Sequence, residues 1–159
     1  MTVSIRLAER ADAVRLNAAL TRLSADLGDT HQATDAALEA AGWGATPAFR
    51  AHLAEVAGAI VGVVMYSPVF STVRGGAGVY VSDLWVAAEQ RATGLGRRLL
   101  RAAASDAARC WGAGFLKLQV YDSSPGARRF YDRLGFTAAS GHTDMILQAA
   151  GFEALKGDA

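Results

Sequence analysis

The chain has 159 residues, 52% hydrophobic and 19% charged, a composition that fits one globular domain with a real core and excludes a disordered chain. Sixteen basic against fifteen acidic residues leave a formal charge of +1, without the long basic run of a nucleic-acid footprint. No apolar run approaches the roughly 18 residues of a membrane span, and Arg6, Glu9 and Arg10 break up the start of the chain as a signal peptide does not. A single cysteine, Cys110, excludes an intramolecular disulfide and a cysteine-rich metal site. Beside Trp111 at a helix end, it reads as a small buried hydrophobe. The expectation is a soluble cytoplasmic protein that binds no metal.

In chain order, Val3 to Leu7 reads as a short strand and Ala11 to Leu27 as a helix, with Val14, Ala18, Leu20, Leu23 and Leu27 as its apolar stripe. Thr34 to Ala41 is a second helix, ended by Gly42 and Gly44. Phe49 to Val56 is a strand, Gly58 a turn, and Ile60 to Tyr66 a β-branched run suited to a strand covered on both faces. Ser67 to Gly78, with Pro68 and three glycines, reads as a flexible loop. Val79 to Val86 is the central strand, and a helix follows until Gly112 and Gly114. Phe115 to Tyr121 alternates as a half-buried strand. Ser124-Pro125 is a cap and first helical residue, and Ala127, Phe130, Tyr131 and Leu134 form one face of a short helix. Phe136 and Met145 to Leu147 offer final strands, and the tail from Ala149 reads as frayed. The order gives an α/β mixed sheet of six to seven strands, with about four helices shared between its faces.

The stretch from Val79 to Leu100 organises the rest. A strand turns through Arg91-Ala92-Thr93-Gly94-Leu95-Gly96 into a helix. The unpaired N–H groups and positive dipole end of such a helix receive an anion. Gly94 and Gly96 leave no side chain in the way, while Arg91, Arg97 and Arg98 add charge. The pattern predicts a pyrophosphate cradle. It is neither a Walker loop, for want of Gly-Lys-Ser/Thr, nor a dinucleotide fingerprint, since Leu99 stands where the third glycine belongs.

Arg91-x-x-Gly94-x-Gly96 resembles the coenzyme A signature of the GNAT superfamily of N-acetyltransferases. A second signature, Ser124-Pro-Gly-Ala127-Arg-Arg-Phe130-Tyr131-x-x-Leu134-Gly135-Phe136, resembles that family's later motif. The resemblance implies acetyl-CoA as cofactor and one acetyltransferase domain over residues 1–148, followed by a tail over 149–159. It places the pantetheine arm along Leu84, Trp85, Val86 and Ala87, and the pyrophosphate on Arg91, Ala92, Thr93, Gly94, Leu95, Gly96 and Arg97. Ser124 stands where relatives place a cofactor-binding asparagine, although capping the helix explains it as well.

The reaction needs a polarised thioester, a neutral amine and a proton for the leaving thiolate. Tyr131 matches the family tyrosine that protonates the thiolate; a core aromatic is the alternative. Val81-Ser82-Asp83-Leu84-Trp85-Val86 resembles the spermidine/spermine (diamine) acetyltransferase branch, with Ser82 in place of a glutamate. Asp83 is thus the candidate base, or else a carboxylate that bonds nearby backbone. Alternation sends Ser82 and Asp83 to opposite faces. For the acceptor, the resemblance points to Asp29, His31, Tyr80, Ser82 and Asp83, with Asp26 and Asp35 close by in sequence. A solvated helix face explains the aspartates too, and a surface loop explains His31. The expected function is acetylation of a primary amine on a small molecule: a polyamine or diamine, an amino acid, an aminophosphonate or an aminoglycoside. A protein or peptide N-acetyltransferase and a non-catalytic acyl-CoA-binding module are the alternatives. The family habit of exchanging C-terminal strands would make a homodimer.

Overall fold

The computed structural model describes residues 1–157, which form two compact units, 1–120 and 121–157. In the first unit, β1 (Ser4–Leu7) leads into α1 (Ala13–Leu27) and α2 (Asp35–Trp43). Strands β2 (Arg50–Val56), β3 (Ala59–Ser71) and β4 (Gly76–Val86), helix α3 (Leu95–Trp111) and β5 (Leu116–Leu118) complete it. The sheet order is β1-β2-β3-β4-β5, antiparallel except for β4 and β5, which run parallel. A β4-to-β5 connection in parallel needs a crossover, and α3 supplies it.

Helices cover both faces, as expected. A methyl group at Gly62 would meet Leu99 of α3 at 2.9 Å, so Gly62 faces α3. Its neighbour Val63 is paired with Trp85, whose indole N–H donates to Asp26 of α1 at 3.1 Å, so that pair faces α1. Leu16, Leu53, Val63, Val64, Leu95 and Leu99 are fully buried between these layers.

One polar clamp fixes α3 to the sheet. Asp106, 6% exposed, accepts from Arg50 Nε at 2.6 Å and Nη2 at 3.2 Å, from the Tyr66 hydroxyl at 2.6 Å, and from Arg109. Burial pushes the Asp106 carboxyl up, but the hydrogen bonds from Arg50 and Tyr66 and the Arg50 charge outweigh it and bring it down to about 2. A second cluster ties β1 to α1 and β2: Arg6 forks to Asp12 at 2.7 and 2.8 Å and to Glu55 at 3.1 and 3.0 Å.

Several expectations need correction. Residues 67–78 are not a loop but the far half of a long hairpin, with only 72–75 between Ser71 and Gly76. Pro68 is tolerated there because β2 ends opposite Tyr66, so a missing N–H on that side breaks no ladder. The buried stripe of α1 is Ala13, Leu16, Asn17, Ala19 and Leu20, while Val14 is 61% exposed. Cys110 is exposed, its Sγ 3.7 Å from Asp106.

The second unit holds α4 (Pro125–Arg133) and α5 (Ala149–Lys156). Ala127, Phe130, Tyr131 and Leu134 are its half-buried stripe, as the spacing predicts. Neither Phe136 nor 145–147 forms a strand: Met145 and Ile146 are 90% and 83% exposed, and the small and polar residues before them offer no face to bury. The described sheet therefore has five strands and not six or seven. Residues 149–156 form a helix rather than a frayed tail, in keeping with their alanines, Glu153, Leu155 and Lys156.

Candidate active site

The site begins at a flaw in β4. Met65 pairs with Asp83 but Tyr66 pairs with Val81, so Ser82 is an extra residue, a β-bulge. Below it, Val79 and Val81 pair with Leu116 and Leu118 of β5. Above it β5 has ended, and residues 82–86 are paired on the β3 side alone. The bulge also reverses which residues turn their backbone outward. The Ala87 N–H donates to Val61 O at 2.9 Å, so Ala87, Trp85 and Asp83 direct their amides to β3. Leu84 and Val86 direct theirs to the open side. Of the four residues expected along the cofactor, Leu84 thus lies on the free edge, and Val86 turns its N–H there while its carbonyl accepts from Arg91 Nε at 3.1 Å. Trp85 is 3% exposed and turned to α1, and the Ala87 amide is already bonded.

The turn after β4 forms as the sequence predicts. Gly94 has φ +83° and caps α3, and nothing lies within 4 Å of a methyl group placed on it. The first helical bond is Arg98 N–H to Gly94 O at 3.2 Å, which leaves the N–H groups of Leu95, Gly96 and Arg97 without a helical acceptor. Ala92 holds φ +61°, a strained conformation for a residue with a side chain. The turn's side chains behave differently from expectation. The Thr93 hydroxyl donates to Gln90 O at 2.6 Å and braces the turn. Arg91 donates to Asp26 at 2.7 Å and to Val86 O at 3.1 Å, so the signature arginine is a strut to α1. Arg97 is exposed with no acidic partner among the described residues. A chain of unpaired amides at a dipole's positive end, beside Arg97 and an open strand edge, fits the diphosphate and amide-bearing arm of coenzyme A.

On the α1 side, Asp83 is half-buried. Burial pushes its carboxyl above the usual range; a hydrogen bond from Ser82 and the influence of His31 oppose this only in part. The bulge interrupts the alternation on which the expected opposition of Ser82 and Asp83 rests; Ser82 is exposed and Asp83 half-buried. The Ser82 hydroxyl also lies 3.4 Å from Met65 O. His31 is not a loose loop residue: Nδ1 is 2.9 Å from the Ser24 hydroxyl and Nε2 is 2.8 Å from Asn17 Oδ1. Asn17, 7% exposed, spends its amide N–H groups on Ala33 O at 3.0 Å and Asp35 at 2.8 Å. Its Oδ1 is therefore the acceptor, and His31 Nε2 carries a proton. Asn17 and Ser24 went unnoticed in the sequence, although Asn17 sits at i, i+4 from Ala13 in the buried stripe. The aspartates do not converge as a free cluster. Asp26 serves Trp85 and Arg91, Asp35 serves Asn17, and Asp29 has its own partner. The Tyr80 hydroxyl donates to Gln119 at 3.0 Å.

In the second unit, Tyr131 packs against Phe130 and Phe136 with ring centroids 5.1 and 5.4 Å away. Burial pushes its phenol up, so it stays protonated. Ser124 makes no side-chain cap bond; its carbonyl accepts from Arg128 N–H at 3.1 Å. No group of acidic, histidine or cysteine side chains among the described residues is arranged to hold a metal, and no described helix is long and apolar enough to cross a membrane.

An anion-binding turn that opens a helix, fed by a bulged strand with a free edge, is the arrangement that the resemblance to coenzyme A-dependent acyltransferases leads one to expect. The model of the acetyltransferase (GNAT) family matches residues 16–136, and the chain belongs to that family. It is 31% identical over 117 residues to the thialysine N-epsilon-acetyltransferase of Bos taurus, covering 69% of this chain and 68% of that one. Among solved structures, it resembles a ribosomal-protein-alanine N-acetyltransferase from Brucella melitensis biovar Abortus 2308. That match has 22% identity over 93% of this chain and 100% of that one, with a TM-score of 0.73. It also resembles an aminoglycoside N-acetyltransferase in complex with CoA, at 16% identity over 93% and 96% of the two chains and a TM-score of 0.74. The protein is an acyltransferase whose cofactor is acetyl-CoA.

Proposed function

We propose that the chain acetylates the primary amine of a small molecule, with a terminal amine on a short aliphatic chain, as in thialysine or a diamine, as the preferred acceptor. The observation that carries this reading is the half-buried carboxyl of Asp83, placed one residue above the bulge where the open edge of β4 begins. Bound acetyl-CoA supplies the acetyl thioester. The outward amides of Leu84 and Val86 would hold its arm, and the amides of Leu95, Gly96 and Arg97 would hold its diphosphate.

An alkylammonium is mostly protonated at neutral pH and does not attack a carbonyl. Asp83 accepts that proton through water, a task suited to a carboxyl whose affinity for protons is raised by burial. Bound acetyl-CoA would deliver its acetyl group to the neutral amine; Tyr131 would hold the proton needed by the departing sulfur and recover one from the second proton shed by the acylated nitrogen. The second signature supports this role for Tyr131, whose phenol burial keeps protonated. The span of the family match supports reading residues 1–148 as one catalytic domain.

The test is thiol release from acetyl-CoA with thialysine, lysine, spermidine, putrescine, aminoalkylphosphonates, an aminoglycoside and an N-terminal alanine peptide. Turnover concentrated on the thialysine and diamine group supports the reading. Turnover with the peptide alone, or none despite measured acetyl-CoA binding, refutes it.

A further inference from the structure

A second concave site begins in the first turns of α3, where Arg98, expected to add charge at the phosphate turn, instead reaches to the start of the chain at Val3. A groove of about 450 Å³ runs between α3 and the β1 edge, walled by Arg98, Arg101 and Ser105 and backed by Ile5, Leu7 and His52. Arg98, Arg101 and Ser105 recur at i, i+3 and i+7, so they stand on one face of α3. Arg98 gives one N–H to Val3 O at 3.0 Å. Arg101 has no acidic partner among the described residues. Arg6 also borders the groove but is spent on Asp12 and Glu55.

Two cations one turn apart repel, and here they stand toward the positive end of a helix dipole with no acid in the first turn. An anion in the groove would relieve both costs. The opposite wall adds a different demand. The Tyr66 hydroxyl gives its only proton to Asp106, so its oxygen accepts from His52, whose Nδ1 lies 2.9 Å away. That tautomer leaves Nε2 as a lone pair on the groove's histidine. Burial pushes the imidazole down, which favours the neutral ring and leaves Nε2 able to accept a hydrogen bond. A fitting ligand therefore brings an anion for the arginines, a hydroxyl for His52 and a short carbon chain for Ile5 and Leu7.

We propose that this groove binds a small hydroxylated phosphate ester, with the phosphoryl group on Arg98, Arg101 and Ser105 and a hydroxyl on His52. The test titrates the isotopically labelled full chain, saturated with coenzyme A to fill the phosphate turn, with glycerol phosphate at constant ionic strength. Saturable shifts are expected at Arg101, Ser105 and the His52 ring, with inorganic phosphate binding more weakly. Arg101→Ala should weaken binding about tenfold, the loss of one charge-assisted hydrogen bond, and Arg101→Lys should restore part of it. Because Arg101 is exposed, melting and unliganded acetyl transfer should stay at wild-type values in both variants. Shifts that never saturate, that sodium chloride reproduces, or that survive Arg101→Ala unchanged would overturn the proposal, as would inorganic phosphate binding as tightly as the ester.

Discussion

Replacing Asp106 by Asn removes one negative charge from the clamp that joins α3 to β2 and β3 and keeps the side chain's shape. The folded carboxyl titrates at about 2 against an ordinary 3.8. One unit of such a difference is about 1.4 kcal/mol, so the ionised group contributes about 2 kcal/mol of stability. The sign follows from proton uptake: the unfolded chain binds the proton first as pH falls, so the contribution is complete above about pH 5 and fades toward pH 2. Urea unfolding of wild type and Asp106→Asn, followed by tryptophan emission, should differ by about 2 kcal/mol at pH 7 and by about half that at pH 3. Tyr66→Phe, which removes one donor to the same carboxylate, should cost about 1.5 to 3 kcal/mol. A constant gap between pH 7 and pH 2.5, or no gap at pH 7, would show that Asp106 is not held ionised by Arg50 and Tyr66.

Asp83→Asn should lower kcat/KM by roughly 10² or more, the usual contribution of a general base, with the acetyl-CoA dissociation constant unchanged in calorimetry. The wild-type kcat/KM profile should rise with pH through a value above the ordinary carboxylate 3.8, a limb that the variant lacks. Tyr131→Phe should reduce kcat while coenzyme affinity and melting temperature stay near wild type; a joint collapse of affinity and melting would make the tyrosine a packing residue only. Gly94→Ala forces a side chain to φ +83° at a cost of about 1 to 2 kcal/mol and should weaken coenzyme A binding more than it lowers the melting temperature.

The sequence carried the backbone of the site because glycine spacing and hydrophobic runs are local signals. Gly94, Leu95 and Leu99 show a turn and a buried helix face without reference to the rest of the chain. What stayed hidden depends on partners far away in sequence. Nothing near Ser82 announces the bulge, which exists only as a mismatch with Met65 and Tyr66 on another strand. Arg91 looks like a phosphate ligand until Asp26, 65 residues earlier, is placed beside it. His31 reads as surface for the same reason, since Asn17 and Ser24 become its partners only when α1 and its following loop fold together. The Ser67–Gly78 stretch misleads in another way: glycine and proline mark irregularity in isolation, yet the open side of β3 accommodates Pro68, and Gly78 makes room for the Phe115 ring, 2.4 Å from where a methyl group would stand.

The bond from Arg91 to Asp26 ties cofactor turn and first helix into a single piece. Swapping α1 between relatives to change the acceptor would sever that tie unless an acid were kept at position 26. The same carboxylate holds the indole of Trp85, with the Arg22 guanidinium 4.7 Å from the ring centre. A grafted helix that lost the acid would therefore disturb coenzyme handling and indole fluorescence together, which gives an engineer a direct optical readout of whether the graft has seated.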